Sequence, residues 1–181
     1  MIDKALTFLR DQLNSYIQLK TGNNNVVEFI DGNQFGPDAL ENNKVNLVML
    51  SLEEERILRS LKGVPPNCPP DVKMNVYILF AARFNQYVNS LENLSWVIKF
   101  FQGQPVFTSS NTPTLDTEIN QLTMELLRLP ISESNSLLEI ANLFSPPSVL
   151  YRARLLVLRD DSTISTLPEI TSTNSTSELL Y

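Results

Sequence analysis

Two segments of this chain alternate between apolar and polar side chains with a period of two residues, which is typical of β-strands that bury one face. In residues 72–81, one side takes Met74, Val76, Ile78 and Phe80, and the other takes Lys73, Asn75, Tyr77 and Leu79. In residues 149–158, the two sides are Val149, Tyr151, Ala153 and Leu155 against Leu150, Arg152, Arg154 and Leu156. Strands of this kind require a second layer that covers their apolar side.

Three further segments are predicted to be strands. Residues 26–30, VVEFI, are predicted to form a short strand. Residues 45–58 begin with the continuously apolar run NLVMLSL and end in a charged run. We therefore expect the first part in the sheet interior and the second at an exposed extension or edge. Residues 122–129 alternate as LTMELLRL and are predicted to be a strand, although a helix is also compatible. The connections are a polar loop at 31–44, a stiff proline-rich segment at 63–71, and a short extended piece with a loop at 105–113.

Apolar residues at three- and four-residue spacing predict two main helices, over residues 2–20 and 84–101. The first apolar stripe consists of Ile2, Ala5, Leu6, Leu9, Leu13, Tyr16 and Ile17. The second consists of Phe84, Tyr87, Val88, Leu91, Leu94, Val97, Ile98 and Phe101. We expect both stripes to pack in the core, with Thr21-Gly22 ending the first helix. A third, short helix is predicted over residues 132–144.

Composition changes sharply after Leu158. Residues 159–181 are rich in Ser and Thr and poor in large apolar groups, so they bury too little surface to offset the cost of ordering. We therefore predict a folded domain at 1–158 and a flexible polar tail at 159–181. Its last residues, Leu179, Leu180 and Tyr181, fit either an untethered terminus or an arm that docks on a neighbouring subunit by strand addition.

The residue inventory argues against several classes of function. The formal net charge is −6, and no basic patch is evident, so nucleic acid is not an expected partner. The chain has no histidine, the usual general base and metal ligand, and its one cysteine (Cys68) allows no internal disulfide. Phosphate-binding, metal-binding and serine-nucleophile motifs are absent from the sequence. We expect no enzyme activity, no cofactor or metal, no direct membrane insertion, and a cytoplasmic location.

The most concentrated charge is the run Glu53, Glu54, Glu55 and Arg56. On a strand only Glu53 and Glu55 share a side, and Arg56 and Arg59 are their nearest basic neighbours along the chain. A solvated ion-pair network or an interface is favoured over a catalytic carboxylate pair. The basic pair Arg152 and Arg154 could meet this acidic run across a subunit contact, where complementary charges fix register. The predicted interface set is Glu53, Glu54, Glu55, Arg56, Arg152, Arg154, Leu179, Leu180 and Tyr181.

Four stretches in this order and spacing carry a family resemblance. They are MIDKALTFLRDQLN at the N-terminus, SLEEER, FFQGQPVFTSSNTP and SVLYRAR. Together they resemble the N-terminal domain of the tail-terminator or cap proteins of extracellular contractile injection systems, which are phage-tail-like particles. The resemblance spans about residues 1–158. It implies a six-fold ring at the baseplate-distal end that contacts tube and sheath, assembly in the cytoplasm, and a finished particle that is released outside the cell.

The predicted fold is α+β, a two-layer unit. A mixed, mostly antiparallel sheet of about four or five strands packs against the two main helices, and its free edges invite pairing with other chains. Three functions remain open on this basis. A ring-forming cap predicts a hexamer or assembly on tube and sheath. An adaptor that recruits a partner through its tail predicts a stable monomer or dimer. An enzyme predicts an enclosed cleft with a carboxyl of displaced pKa.

Overall fold

The computed structural model describes residues 1–30, 40–55, 72–127 and 146–157. These residues form a six-stranded sheet with the order β1-β2-β3-β6-β5-β4 and two helices. The helices are α1 (Ile2–Thr21) and α2 (Tyr87–Gly103). The strands are β1 (Val27–Phe29), β2 (Lys44–Glu55), β3 (Val72–Arg83), β4 (Val106–Thr108), β5 (Ile119–Leu126) and β6 (Ser148–Val157).

The sheet is mixed and mostly antiparallel, because β1 and β2 run parallel and every other neighbouring pair runs antiparallel. This confirms the predicted α+β class with two helices against one sheet. The sheet has six strands rather than four or five, because the extended piece at 106–108 pairs with β5 as a short edge strand. Residues 119–126 are a strand, so the helical alternative for this segment is wrong.

The main core lies between the helices and one face of the sheet. Both alternating segments present the predicted side to it: Val76, Ile78 and Phe80 of β3 are fully buried. Aromatic rings from both layers meet there, with centroids 4.9 Å apart for Phe101 and Tyr151 and 5.4 Å apart for Phe8 and Phe107. Such pairs contribute about 0.5–1.5 kcal/mol each beyond their buried area. The core therefore fixes how α1 and α2 sit on the sheet.

The predicted apolar stripe of α2 is wrong in its first turns. Tyr87, Val88 and Leu91 are 64%, 70% and 44% exposed, whereas Ser90 is 2% exposed. The Ser90 hydroxyl accepts the backbone N–H of Phe84 at 3.1 Å, which turns the Ser90 side of the helix inward. From Leu94 onward, Leu94, Val97 and Phe101 are buried as predicted. Phe100 is buried as well, although it was not in the predicted stripe, and Ile98 is only half-buried.

Helix α1 ends where the sequence predicted. Gly22 adopts φ 77°, and its N–H donates to the Gln18 carbonyl at 2.8 Å. This left-handed C-terminal cap suits glycine because a side chain would be strained there.

A β-bulge in β2 decides which way its acidic end faces. Met49 pairs with Ile78 and Ser51 pairs with Tyr77, so Leu50 is an extra residue. A bulge of this kind reverses the alternation of the following residues. Glu53 and Glu55 therefore lie on the sheet face opposite the helices, while Glu54 lies on the helix side. The prediction that only Glu53 and Glu55 share a side is confirmed.

Several predicted features lie outside the described residues. They are most of the 31–44 loop, the 63–71 segment with Cys68, the end of the 45–58 strand, the 132–144 helix and the 159–181 tail. Arg56, Leu179, Leu180 and Tyr181 belong to this set.

Candidate assembly interface

Polar side chains from four neighbouring strands meet on the sheet face opposite the helices. We call this group the polar ladder; it consists of Glu53, Glu55, Tyr77, Glu125, Arg152 and Arg154. The register places them together, because Ser51 pairs with Tyr77, Tyr77 with Arg152, and Arg152 with Glu125. Side chains that lie opposite or diagonal on adjacent strands interact directly. The ladder thus crosses β2, β3, β6 and β5.

Two short hydrogen bonds and two longer ion pairs connect the ladder. The Tyr77 hydroxyl donates to Glu53 Oε2 at 2.8 Å. Arg152 Nη2 donates to Glu125 Oε2 at 2.6 Å. Arg154 bridges the two acidic sides, with its Nε 3.8 Å from Glu55 Oε2 and its Nη2 3.9 Å from Glu125 Oε2. Partly exposed pairs of this type add little stability but hold charges in a fixed pattern.

The pKa shifts in the ladder keep its charges in place. The hydrogen bond from Arg152 lowers the pKa of Glu125, and the same contact raises the pKa of Arg152. The hydrogen bond to Glu53 raises the pKa of Tyr77, so this phenol stays neutral. These shifts stabilise the ordinary charge states of all three groups. The ladder therefore behaves as a fixed charge pattern rather than as a proton-transfer site.

Two buried polar atoms beside these contacts have no hydrogen-bond partner. They are Asn75 Oδ1 and Arg152 Nε. Asn75 is 9% exposed, and it lies between Glu53 and Arg154 in the register. Buried polar atoms of this kind cost free energy unless something satisfies them. A molecule that packs on the ladder could supply the missing donor and acceptor.

The acidic end of β2 also lies at a sheet edge. Strand β1 pairs only with Val45–Leu47, so β2 beyond Leu47 has no strand on that side in the described part of the chain. Residues 51–55 are all exposed. Glu54, on the helix side, has no hydrogen bond or ion pair within those same parts of the chain. An open strand edge carries unpaired N–H and C=O groups, which makes it a place for another chain to pair.

The outermost strands are closed by asparagine side chains. On β1, Asn14 Oδ1 accepts the Val27 N–H at 2.8 Å, and its Nδ2 donates to the Val27 carbonyl at 2.9 Å. On β4, Asn111 Oδ1 accepts the Thr108 N–H at 2.8 Å, and its Nδ2 donates to the Val106 carbonyl at 2.9 Å. We call these contacts the Asn14 fork and the Asn111 fork. Each occupies backbone groups that an added strand would need.

The structure places the predicted interface residues in two groups. It brings Glu53, Glu55, Arg152 and Arg154 together within one chain, with Glu54 on the opposite side of β2. Arg56 and the three tail residues lie outside the described residues. Sequence reasoning missed Tyr77, Asn75 and Glu125, although the alternation had placed Tyr77 and Asn75 on the same side of β3. Their partners depend on strand register, which the alternation alone does not give.

Other site types find little support in the described residues. An open polar groove beside α1 and β1 is lined by side chains that include Arg10, Asp11, Asn14 and Glu28. Among the described residues, no group of three or more histidine, cysteine, aspartate or glutamate side chains is arranged to hold a metal ion. Neither helix in these parts of the chain combines the length and hydropathy that a bilayer crossing requires.

Comparison with known proteins assigns the family. Residues 5–172 match the sequence profile of the Pvc16 N-terminal domain, so the chain belongs to the Pvc16 N-terminal domain family. This confirms the resemblance carried by the four sequence stretches. No curated protein matches the chain.

A solved structure shares the fold. It is the PVC sheath/tube terminator of an extracellular contractile injection system, determined by cryo-electron microscopy in the extended state. The alignment has a TM-score of 0.59 at 11% sequence identity and covers 100% of this chain. It covers 65% of that terminator, so this chain spans less than two thirds of its length.

Proposed function

We propose that this chain is a terminator subunit that caps the tube and sheath of a contractile injection particle. The observation that carries the proposal is the alignment of the whole chain with a sheath/tube terminator, together with its family membership. At 11% identity the likeness concerns the fold, so the role must rest on the surfaces this chain itself presents. Those surfaces are the polar ladder, the open edge of β2 and the exposed turns of α2.

The proposed role is structural rather than catalytic. The ladder presents a fixed set of three carboxylates, two guanidinium groups and a neutral phenol on a rigid sheet. Charge patterns of this kind steer register and suppress wrong partners more than they add affinity. We therefore retain Glu53, Glu54, Glu55, Arg152 and Arg154 as interface residues.

Exposed apolar side chains supply further contact area. Tyr87, Val88 and Leu91 are adjacent on the surface of α2, because their spacing of three and four residues places them on one side of a helix. A few well-buried side chains, most often Trp, Tyr and Arg, contribute most of the binding energy of an interface, whereas partly exposed charge pairs contribute little. A ring contact that covers this part of α2 would bury them.

The proposed assembly is a closed ring of identical subunits, most simply a hexamer, that contacts the last tube and sheath layers. Ring symmetry requires that one face of a subunit meet a different face of the next. The polar ladder and the α2 surface lie on opposite layers of the fold, so they can serve as two such unlike faces. Assembly takes place in the cytoplasm, before the particle is released.

The experiment is to produce particles with and without this chain and to measure their lengths by electron microscopy. A terminator predicts a narrow length distribution with the chain present and a broad one in its absence. Complementation with Glu54→Lys should restore length control poorly. Complementation with Glu41→Lys, a change at an exposed acid just before β2 and outside the proposed contact surfaces, should restore it fully. Unchanged lengths without the chain would exclude a terminator, and a stable monomer that binds one partner would favour an adaptor.

A further inference from the structure

We propose that the Ser51–Glu55 edge of β2 is a strand-addition site that takes an extended, basic segment of a partner protein. The inference deepens the interface assigned above and rests on it for the existence of a partner. It adds the binding mode, the position and the chemistry of what binds.

The backbone geometry provides the first argument. Parallel pairing with β1 stops at Leu47 and the bulge lies at Leu50, so the regular open edge beyond the bulge begins at Ser51. On its other side this stretch is held by β3, from Ser51 opposite Tyr77 to Glu55 opposite Lys73. Every second residue of such a strand directs its N–H and C=O outward. The edge is thus rigid, exposed and unpaired among the residues that the structure describes.

The closed state of the other edges provides the second argument. The Asn14 fork occupies Val27 on β1, and the Asn111 fork occupies Val106 and Thr108 on β4. Sheets commonly block their edges against unwanted pairing, and both terminal strands here are blocked by side-chain hydrogen bonds. The end of β2 has no comparable hydrogen bond to its edge within the described ranges. A strand that adds to this sheet therefore meets least obstruction at β2.

The charge of the edge selects what can bind. Three consecutive carboxylates border it, and Glu54 has no cationic neighbour to offset it within the described chain. Like charges directly opposite each other on paired strands are destabilising, so a second copy of this edge would be repelled. The chain's own residues 158–181 carry one arginine and four acidic side chains, a net charge of −3, and are disfavoured for the same reason.

The side chains define the matching pattern. Leu52 is 43% exposed and lies on the helix side of β2 together with Glu54. Ser51, Glu53 and Glu55 lie on the ladder side. A fitting strand carries an apolar residue beside Leu52 and a lysine or arginine beside Glu54. It also carries basic or polar residues along the ladder side, the side on which the buried Asn75 Oδ1 lacks a hydrogen-bond partner.

The test measures binding of labelled peptides to the full chain at low salt. The first probe is the lysine–valine heptapeptide KVKKKVK, which in either direction can place a valine beside Leu52 and a lysine beside Glu54. The others are its glutamate–valine counterpart EVEEEVE, the chain's own 159–181 peptide, and the lysine–valine peptide N-methylated at alternate amides. We expect the lysine–valine peptide to bind at least about tenfold more tightly than the glutamate–valine peptide, because cross-strand charge pairs change sign. N-methylation should abolish binding, because strand addition depends on backbone hydrogen bonds.

Two further readouts locate the site. Hydrogen exchange should show new protection at residues 51–55 when the lysine–valine peptide binds. Glu54→Lys should weaken its binding at least threefold, and Glu41→Lys should leave it unchanged. Equal binding by the N-methylated peptide, protection elsewhere, tighter binding of the 159–181 peptide, or no binding at all would each overturn the proposal. If particle lengths are controlled normally but the lysine–valine peptide does not bind, the strand-addition site is refuted and the terminator role stands. If particle lengths do not depend on the chain, the terminator role fails whatever the peptide does.

Discussion

Replacing Asn14 with alanine should destabilise the fold through the edge strand that this side chain closes. Asn14 bonds both backbone groups of Val27, at 2.8 and 2.9 Å, and Val27 is fully buried. Leaving a buried backbone group without a partner costs about 1–3 kcal/mol. Water can reach this side of α1 through the polar groove, which reduces the cost. We therefore expect a total loss of about 2–4 kcal/mol in the free energy of unfolding.

The assay is urea and thermal unfolding followed by circular dichroism. For a chain of this length, the expected loss lowers Tm by about 5–12 °C. Ser15→Ala is the matched control, because Ser15 is exposed and its hydroxyl bonds only the Asp11 carbonyl within α1. That change should stay within about 0.5 kcal/mol of the original protein. Equal stability of Asn14→Ala and Ser15→Ala, with unchanged exchange of the Val27 amide, would refute the role of the fork.

Four further outcomes are expected. Burial raises the pKa of Tyr151 to about 12, so the neutral phenol is favoured in the folded state. The stability that this group contributes is fully present below its unfolded pKa near 10 and is lost as pH rises toward 12, by up to about 3 kcal/mol. The fall in the free energy of unfolding across this pH range should be smaller in Tyr151→Phe. Ser90→Ala should cost about 1 kcal/mol in urea unfolding, because the partly buried Phe84 N–H loses its acceptor, and an unchanged midpoint would contradict this. Reversal of all three charges at 53–55 should impair assembly more than folding, and loss of the circular dichroism signal would count against an interface role. Deletion of 159–181 should leave a folded domain, whereas aggregation on expression would place the domain boundary elsewhere.

The sequence predicted the centre of the sheet well, because periodicity directly reports which side of a strand is buried. The alternation of β3 and β6 assigned Val76, Ile78, Phe80, Tyr151 and Ala153 to the core, and all five are buried there. The spacing in α1 assigned its buried side in the same way. These positions follow from local pattern alone, since each strand or helix must turn its apolar side toward the opposing layer.

Features that depend on contacts between distant segments could not be predicted in this way. The first turns of α2 look apolar, but the bond between Ser90 and Phe84 turns a different side inward. The bulge in β2 leaves no clear trace in an apolar run, yet it sets which face Glu53 and Glu55 occupy. The partners of Arg152 emerge only from the register between β6 and β5. The family resemblance rests on four short sequence stretches and on none of these long-range features.

The central claim is that this chain ends a contractile particle by pairing its sheet with neighbouring proteins. The most direct test is a cryo-electron microscopy reconstruction of the baseplate-distal end of particles that contain it. We predict a ring of copies on the last tube and sheath layers, with residues 51–55 of each copy in contact with an adjacent chain. Particle ends that lack this chain, or copies whose β2 edge faces only solvent, would contradict the account.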